Sequence, residues 1–155
     1  MTSVRYGRAA SAIGEIWIAE TDAGIAACSR EDSPQPMVDA LNRRFPDASV
    51  EPGEGRPASL AKDPRLDLRG FSDFDAAVYG VVAGIPAGET MTYGDVARRV
   101  GSRGAARAVG GAMARCPLFP AVPCHRVVRA ADGWSGWGGH VQLKRRLLAA
   151  ERRPR

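Results

Sequence analysis

Histidine and cysteine are scarce in this chain, and so is any regular spacing between them. Two histidines, His125 and His140, and three cysteines, Cys28, Cys116 and Cys124, are spread over 155 residues. No zinc-ligand spacing can be drawn through them, so neither a metal nor any other cofactor is expected. An odd, irregular cysteine set excludes a disulfide framework and fits a reducing compartment. Met1 to Glu20 lacks the apolar core of a signal peptide, and no apolar run approaches the length that spans a bilayer. A soluble cytoplasmic protein without membrane contact is the expectation. At this length the chain suits one ordinary domain or two small ones, able to bury about two-thirds of the unfolded surface without disulfide or metal support.

What is present is charge, unevenly placed. Residues 1–100 hold 11 Lys/Arg against 15 Asp/Glu, a balance of −4, and residues 101–155 hold 11 against 2, a balance of +9. A basic final third points to a polyanionic partner; a solvated basic face is the plainer alternative.

Residues 1–66 read as a small α+β unit with no chemical motif. Gly14–Glu20 alternates polar and apolar as a half-buried strand does, Thr21–Gly24 is a turn, and Ile25–Cys28 begins the return strand. Met37, Ala40, Leu41 and Phe45 have helical spacing, and the Pro-, Gly- and acid-rich stretch from Pro46 to Pro64 reads as a linker. A second unit opens near Leu68. Ser72 is placed to cap a helix carrying Phe74, Val78, Val81 and Val82. Thr92 caps the next, with Asp95 in capping-box position. Gly101–Gly104 turns the chain into a third helix from about Ala105 to Arg115, and two short helices joined by a Gly-containing turn form a helix-turn-helix pattern.

That third helix lacks the Asn, Gln and Lys side chains that usually read base edges. Ala106, Ala108, Gly110, Gly111 and Ala112 are small, and Arg107 is the one long side chain projecting from them. Small residues permit close backbone approach, either to a neighbouring helix or to a minor groove, where readout is poor and wedges are common. Close, mostly sequence-independent DNA contact with Arg107 as the inserted group is the expectation.

The stretch Val122-Pro123-Cys124-His125-Arg126-Val127-Val128 follows a proline-punctuated apolar segment. A thiolate is the reactive form of cysteine, and adjacent cations favour it. A buried inert cysteine is the alternative. The segment is expected to be extended, so that Cys124 and His125 point to opposite sides. On the last helix, from about His140, the residues Leu143, Leu147, Ala150 and Glu151 share a face, which puts a carboxylate on the apolar side.

Pro123-Cys124-His125-Arg126-Val127-Val128 resembles the active-site motif of the O6-alkylguanine-DNA alkyltransferases. Ile85-Pro86-Ala87-Gly88-Glu89-Thr90 with Thr92-Tyr93, the helix Ala106–Met113, Ser135-Gly136 and Leu147–Glu151 are similar to that family's other motifs, in order, over about residues 71–151. The resemblance implies an α+β protein. A small N-terminal α/β (ribonuclease H-like) domain, residues 1–66, would precede a mostly helical C-terminal domain, residues 67–155, with a winged-helix-like helix-turn-helix. It implies a monomer acting on double-stranded DNA that contains O6-alkylguanine, with Cys124 as acceptor nucleophile, His125 and Glu151 activating it, and Tyr93 donating a proton toward guanine. Arg107 would fill the duplex after the base leaves. Ala106, Ala108, Gly110, Thr92 and Arg126 would face DNA, while Val127, Trp134, Ser135 and Met113 would line the base pocket.

The chemistry agrees with those roles. A base must leave the stack before its O6 carbon can be reached, and guanine leaves readily only if a donor meets its developing charge. The thioether product has no easy leaving group, so one molecule acts once. One departure stands out: Cys116-Pro117 stands where the family has Asn-Pro, and a thiol is a weak donor and acceptor beside an amide. The competing readings are a non-catalytic alkyltransferase-like binder, which lacks the acceptor cysteine; a helix-turn-helix regulator, disfavoured by the small-residue helix; and a Cys-His hydrolase, which predicts turnover and an Asn or Asp orienting the base that is not identifiable here.

Overall fold

The structure is a computed structural model that describes residues 2–53, 65–130 and 141–152. The chain divides into two compact units, one formed by residues 1–72 with 117–121 and the other by residues 73–116 with 122–155.

The first unit is a four-stranded sheet backed by one helix. Strands β1 (Ser3–Ser11), β2 (Gly14–Thr21) and β3 (Gly24–Ser29) form an antiparallel meander, helix α1 (Gln35–Arg44) crosses over, and β4 (Ser49–Pro52) joins β1 in parallel, giving the order β3-β2-β1-β4. The alternation in β2 places Ile16 and Ile18 inside. Val4, Ala19, Ala26 and Ala27 from the sheet meet Met37, Leu41 and Phe45 from the helix in one apolar cluster. The expected strand pair and helix are present. Strand β4 falls where a linker was expected, because its parallel pairing with Ser3–Tyr6 supplies the order that its Pro- and Glu-containing sequence does not announce.

The first unit also extends beyond residue 66. Ile25 N donates to Arg65 O (2.8 Å) and Asp67 N donates to Ile25 O (2.8 Å), so this segment runs along β3. Arg44 at the end of α1 then fastens it, donating to Asp67 O (2.5 Å) and Arg69 O (2.7 Å), with its guanidinium 3.9 Å from the Phe71 ring centre. Residues 67–72 therefore pack with the sheet rather than opening the second unit.

The second unit is helical. It contains α2 (Asp73–Ala83), α3 (Tyr93–Arg99), α4 (Ala106–Arg115) and α5 (Val141–Arg152), with a short parallel pair between β5 (Met91–Thr92) and β6 (Val127–Val128). The expected capping box is present: Thr92 Oγ1 accepts from Asp95 N (3.0 Å) and Asp95 Oδ2 accepts from Thr92 N (3.1 Å). Such a cap contributes about 1 kcal/mol. Gly101, at φ +80°, makes the left-handed bend after α3 that a side chain would oppose. Helix α4 packs its Val109 and Ala112 inward, and the buried Tyr79 of α2 donates to Ala112 O (2.9 Å). The β5–β6 pair is what brings the Cys124 segment beside Thr92 and Tyr93.

Candidate active site

Cys124, His125 and Arg126 form a single 3-10 turn between Pro123 and β6, closed by Arg126 N donating to Pro123 O (2.9 Å) and Val127 N to Cys124 O, while Cys124 N donates to Val122 O (2.8 Å) just before it. The expected extended stretch is thus corrected to a turn. Pro123, at φ −78° and ψ 69°, bends the chain into it. With about three residues per turn, successive side chains fan out by roughly a third of a circle, so Cys124 and His125 point in different directions. Both are buried, with 4% and 5% exposure.

His125 points to the last helix. Its Nε2 lies 3.0 and 3.1 Å from the two carboxylate oxygens of Glu151, which is 17% exposed. The same carboxylate accepts from Arg126 Nε (3.0 Å) and from a terminal guanidinium nitrogen (2.5 Å), and Arg126 gives its remaining terminal nitrogen to Ile85 O (2.7 Å). Arg126, expected to face DNA, is instead committed to this internal network. The reason is geometric: in a turn it follows His125 back toward α5 and finds the buried carboxylate that needs a cation.

The electrostatics assign each group a state. Burial opposes charge on Glu151, but hydrogen bonds from Arg126 and His125 outweigh it and hold the carboxyl below its usual range, so it is ionised. An ionised carboxylate only accepts, so Nε2 carries the imidazole hydrogen and the lone pair sits on the buried Nδ1. Burial lowers the His125 pKa while Glu151 partly restores it, leaving a neutral imidazole at neutral pH. The Cys124 thiol is pushed well up, first by a hydrogen bond with the Cys116 thiol and then by burial; Lys144 acts in the opposite direction. At rest the thiol therefore keeps its proton.

Lys144 is the functional candidate that sequence reasoning missed. It is fully buried, and its Nζ donates to Val127 O at 2.6 Å, behind the turn. The inner face of α5 is Lys144, Leu148 and Glu151, whereas Leu143 and Leu147 are only half-buried and Ala150 is exposed. The anticipated stripe is offset because a lysine reads as a polar, outward residue. The i, i+4, i+7 spacing back from Glu151 was the available signal.

The other expected residues divide cleanly. On α4, Arg107 and Ala108 are exposed, Ala106 and Gly110 are half-buried, and Met113 is buried at 8%. Tyr93 stands at the start of α3 with its ring against Gly110, where an added Cβ would meet the ring edge at 4.0 Å. Thr92 spends its hydroxyl on the helix cap, and the carbonyl of buried Val127 is occupied by Lys144. Trp134 and Ser135 lie outside the described residues. Among the described residues no group of His, Cys, Asp and Glu could hold a metal ion, and no helix is long and apolar enough to cross a membrane.

A buried thiol beside a histidine–carboxylate pair, with an exposed small-residue helix in the same unit, can be set against known proteins. The family model described as "6-O-methylguanine DNA methyltransferase, DNA binding domain" matches residues 73–153. The chain is 48% identical over 91 residues to the methylated-DNA–protein-cysteine methyltransferase of Mycolicibacterium paratuberculosis, a match covering 59% of this chain and 54% of that protein. It thus spans about half the length of this relative. Among solved structures, it resembles the Mycobacterium tuberculosis O6-methylguanine methyltransferase, with a TM-score of 0.67, 34% identity, and coverage of 96% of this chain and 93% of that one. It also resembles Mycobacterium tuberculosis OGT in complex with DNA, with a TM-score of 0.67, 30% identity, and coverage of 97% and 92%. The match of both fold and active-site segment leads to one conclusion: this chain belongs to the 6-O-methylguanine DNA methyltransferase family.

Proposed function

We propose that this protein repairs DNA by transferring the alkyl group of O6-alkylguanine in a duplex to Cys124, once per molecule. The observation that carries the reading is the buried Cys124 thiol preceding a neutral His125 whose Nε2 is held by ionised Glu151. Cys124 gives up its proton as the base enters, His125 Nδ1 receiving it through a bridging water. The developing imidazolium is stabilised by Glu151 at 3.0 Å, and the pull of Arg126 on that carboxylate keeps it from taking the proton itself. The sulfur forms a bond to the alkyl carbon as the carbon–O6 bond breaks, and Tyr93 donates toward the departing guanine. The thioether product stays on the protein.

Helix α4 serves the other half of the task. Base extrusion costs a few kcal/mol of stacking, and exposed Arg107 on a small-residue surface is suited to fill the vacated space, with Ala106, Ala108 and Gly110 allowing close approach and Thr92 at the edge. Val127, Met113, Trp134 and Ser135 are assigned to the base pocket. Under the same reading the first unit is ribonuclease H-like, α3 and α4 with the β5–β6 pair form a winged-helix-like helix-turn-helix, and the protein works as a cytoplasmic monomer without metal or cofactor. The parallel β1–β4 pairing and the capped α3 support those two fold descriptions.

Intact-mass measurement after incubation with an O6-methylguanine duplex tests the proposal. Stoichiometric gain of one methyl, mapped to Cys124 and absent in Cys124→Ser, is expected. Tight binding with no gain would overturn it in favour of the non-catalytic binder. Arg107→Ala is expected to slow repair of duplex at least about tenfold while leaving reaction with the free modified base nearly unchanged; equal losses on both would remove the wedge role.

A further inference from the structure

The alkyltransferase reading puts DNA on α4 and uses only part of the positive charge in the last third of the chain. Of the 11 Lys/Arg in residues 101–155, Arg126 and Lys144 are turned inward to Glu151 and to Val127 O, and Arg115 is paired with Asp75 at 3.0 Å. Arg103 in the turn before α4 and Arg107 in its first turn are exposed. A further set stands on α5. Arg145, Arg146 and Arg152 are exposed there, with Gln142 and Ala149 between them, while the one acidic residue of that helix, Glu151, is taken up by the active site. The outward side of α5 is therefore basic along its length and has no acid of its own to offset the charge.

The packing of α5 keeps this face apart from the α4 surface. Helix α4 packs on α2 and α3, whereas α5 packs on the acceptor turn. Lys144 and Glu151 bind that turn from one side, through Val127 O at 2.6 Å and His125 at 3.0 Å. A base bound for Cys124 has to enter from a side that α5 leaves open. Arg146, two residues from Lys144, falls on the opposite side of the helix, and Arg145 and Arg152 stand two turns apart along one flank. A helix is about 10 Å across, so its outward side stands well back from the turn, on the side that the base does not use.

We propose that the outward face of α5 is a second nucleic-acid surface, which takes the phosphate backbone of a separate duplex segment through Arg145, Arg146 and Arg152. Guanidinium groups match phosphate oxygens in pairs, and nothing else on this face reads a base, so the contact is independent of sequence. Three phosphates neutralised by three arginines add about 3 to the slope of affinity against salt. The hold is thus weak and readily exchanged, which suits a protein that has to test many undamaged sites before it acts once. A second segment can be grasped before the first is released, and the protein passes between segments without first becoming free.

The α5 surface rests on the alkyltransferase reading for its partner, and its test is read on undamaged DNA. Dissociation of the full chain from a fluorescent duplex is followed after mixing with rising amounts of unlabelled duplex. For the wild type at low salt, the off-rate should rise about threefold or more between a small and a roughly hundredfold excess of competitor, and the rise should vanish at high salt. The triple variant Arg145→Gln, Arg146→Gln, Arg152→Gln should dissociate at a rate that ignores competitor concentration, while its single-turnover methyl transfer at saturating protein matches the wild type. Glutamine is a good helix former, and circular dichroism checks the fold. Arg146→Gln alone should lose part of the same competitor dependence. A wild-type off-rate that ignores competitor, or an unchanged dependence in the triple variant, would overturn the proposal. Equal acceleration by polyglutamate would overturn the assignment to nucleic acid in favour of an acidic protein. Slower methyl transfer by the folded triple variant would place these arginines on the first duplex and overturn the separate surface. Wild type that takes up no methyl would sink the alkyltransferase reading and leave α5 to be judged on competitor dependence alone.

Discussion

Each unit of the molecule holds a carboxylate clamped by arginine, Asp67 in the first and Glu151 in the second, and these two are built alike. In the first unit Asp67, 1% exposed, accepts from Thr21 Oγ1 (2.6 Å), from Arg69 N (3.1 Å) and from the Arg69 guanidinium (2.6 and 2.9 Å). In the second, Glu151 accepts from Arg126 and His125. In both, burial opposes the charge and hydrogen bonds outweigh it, so both carboxyls sit below their usual range. What differs is the remaining partner. Asp67 is completed by a hydroxyl and an arginine, neither of which changes protonation near neutral pH, and it ties Thr21 of β2 to Arg69. Glu151 is completed by a histidine with a buried second nitrogen, in the turn that begins with a thiol. A clamped carboxylate becomes part of a site when one of its donors can take up a proton that chemistry releases.

The strongest way to break this comparison is to remove charge from the second clamp. Glu151→Gln keeps a hydrogen-bonding group near His125 but takes away the anion that stabilises an imidazolium. The rate of alkyl transfer should fall by about 10²-fold or more, the range of a lost acid–base element. Single-turnover rates on an O6-methylguanine duplex measure this. The pH profile should move as well. His125 must be neutral to accept a proton, so the wild-type rate declines as pH drops below the ordinary histidine value of 6.5, burial having lowered its pKa from there. Glu151 is the group that raises it back, so Glu151→Gln should carry the acidic edge to still lower pH. An unchanged rate and an unchanged edge would show that the carboxylate acts only in folding.

The first clamp should respond in stability alone. A carboxyl held at about 2 against an ordinary 3.8 contributes about 2 kcal/mol at neutral pH. Its folded pKa is depressed, so the contribution is complete above the unfolded value near 4 and is lost as pH falls through about 2. Asp67→Asn should lower the urea midpoint by an amount matching about 2 kcal/mol, and the difference from wild type should shrink across that acidic window. Transfer rate per folded molecule should stay at the wild-type level. A drop in rate would mean that the two clamps are not separate in function.

How far the sequence foretold these two clamps is itself unequal. The Pro123–Val128 motif, the Thr92–Asp95 capping box, the small-residue helix and the inward position of Glu151 were all legible, because each is a local pattern of a few residues. Lys144 was hidden by composition: a lysine reads as surface until its amine finds a buried carbonyl. Arg126 was misplaced because its direction depends on the 3-10 turn, which the prolines around it suggested only as extended chain. The Thr21 half of the Asp67 clamp and strand β4 left no local trace. Their partners lie 46 residues away for Thr21 with Asp67, and parallel pairing of Ser3–Tyr6 with Ser49–Pro52 joins segments that are ordinary when read alone. Non-local pairing is set by the closed fold rather than by spacing along the chain.

The finest test of the comparison trims one donor from the structural clamp without touching its charge. Thr21→Val removes the 2.6 Å hydroxyl bond to Asp67, together with the bond the same oxygen accepts from Ala23 N in the turn (3.1 Å), and leaves both arginine contacts in place. A β-branched residue suits the end of β2, so strand propensity is kept. One neutral donor to a carboxylate is worth about 1–2 kcal/mol, and the loss should be smaller than for Asp67→Asn because Arg69 still neutralises the charge. The acid transition of Thr21→Val should begin at slightly higher pH than that of the wild type, since one of the bonds that depresses the Asp67 pKa is gone. Its transfer rate should be unaltered. If Thr21→Val instead destabilised the fold as much as Asp67→Asn, the clamp would depend on its hydroxyl rather than on its ion pair, and the likeness between Asp67 and Glu151 would end at the presence of an arginine.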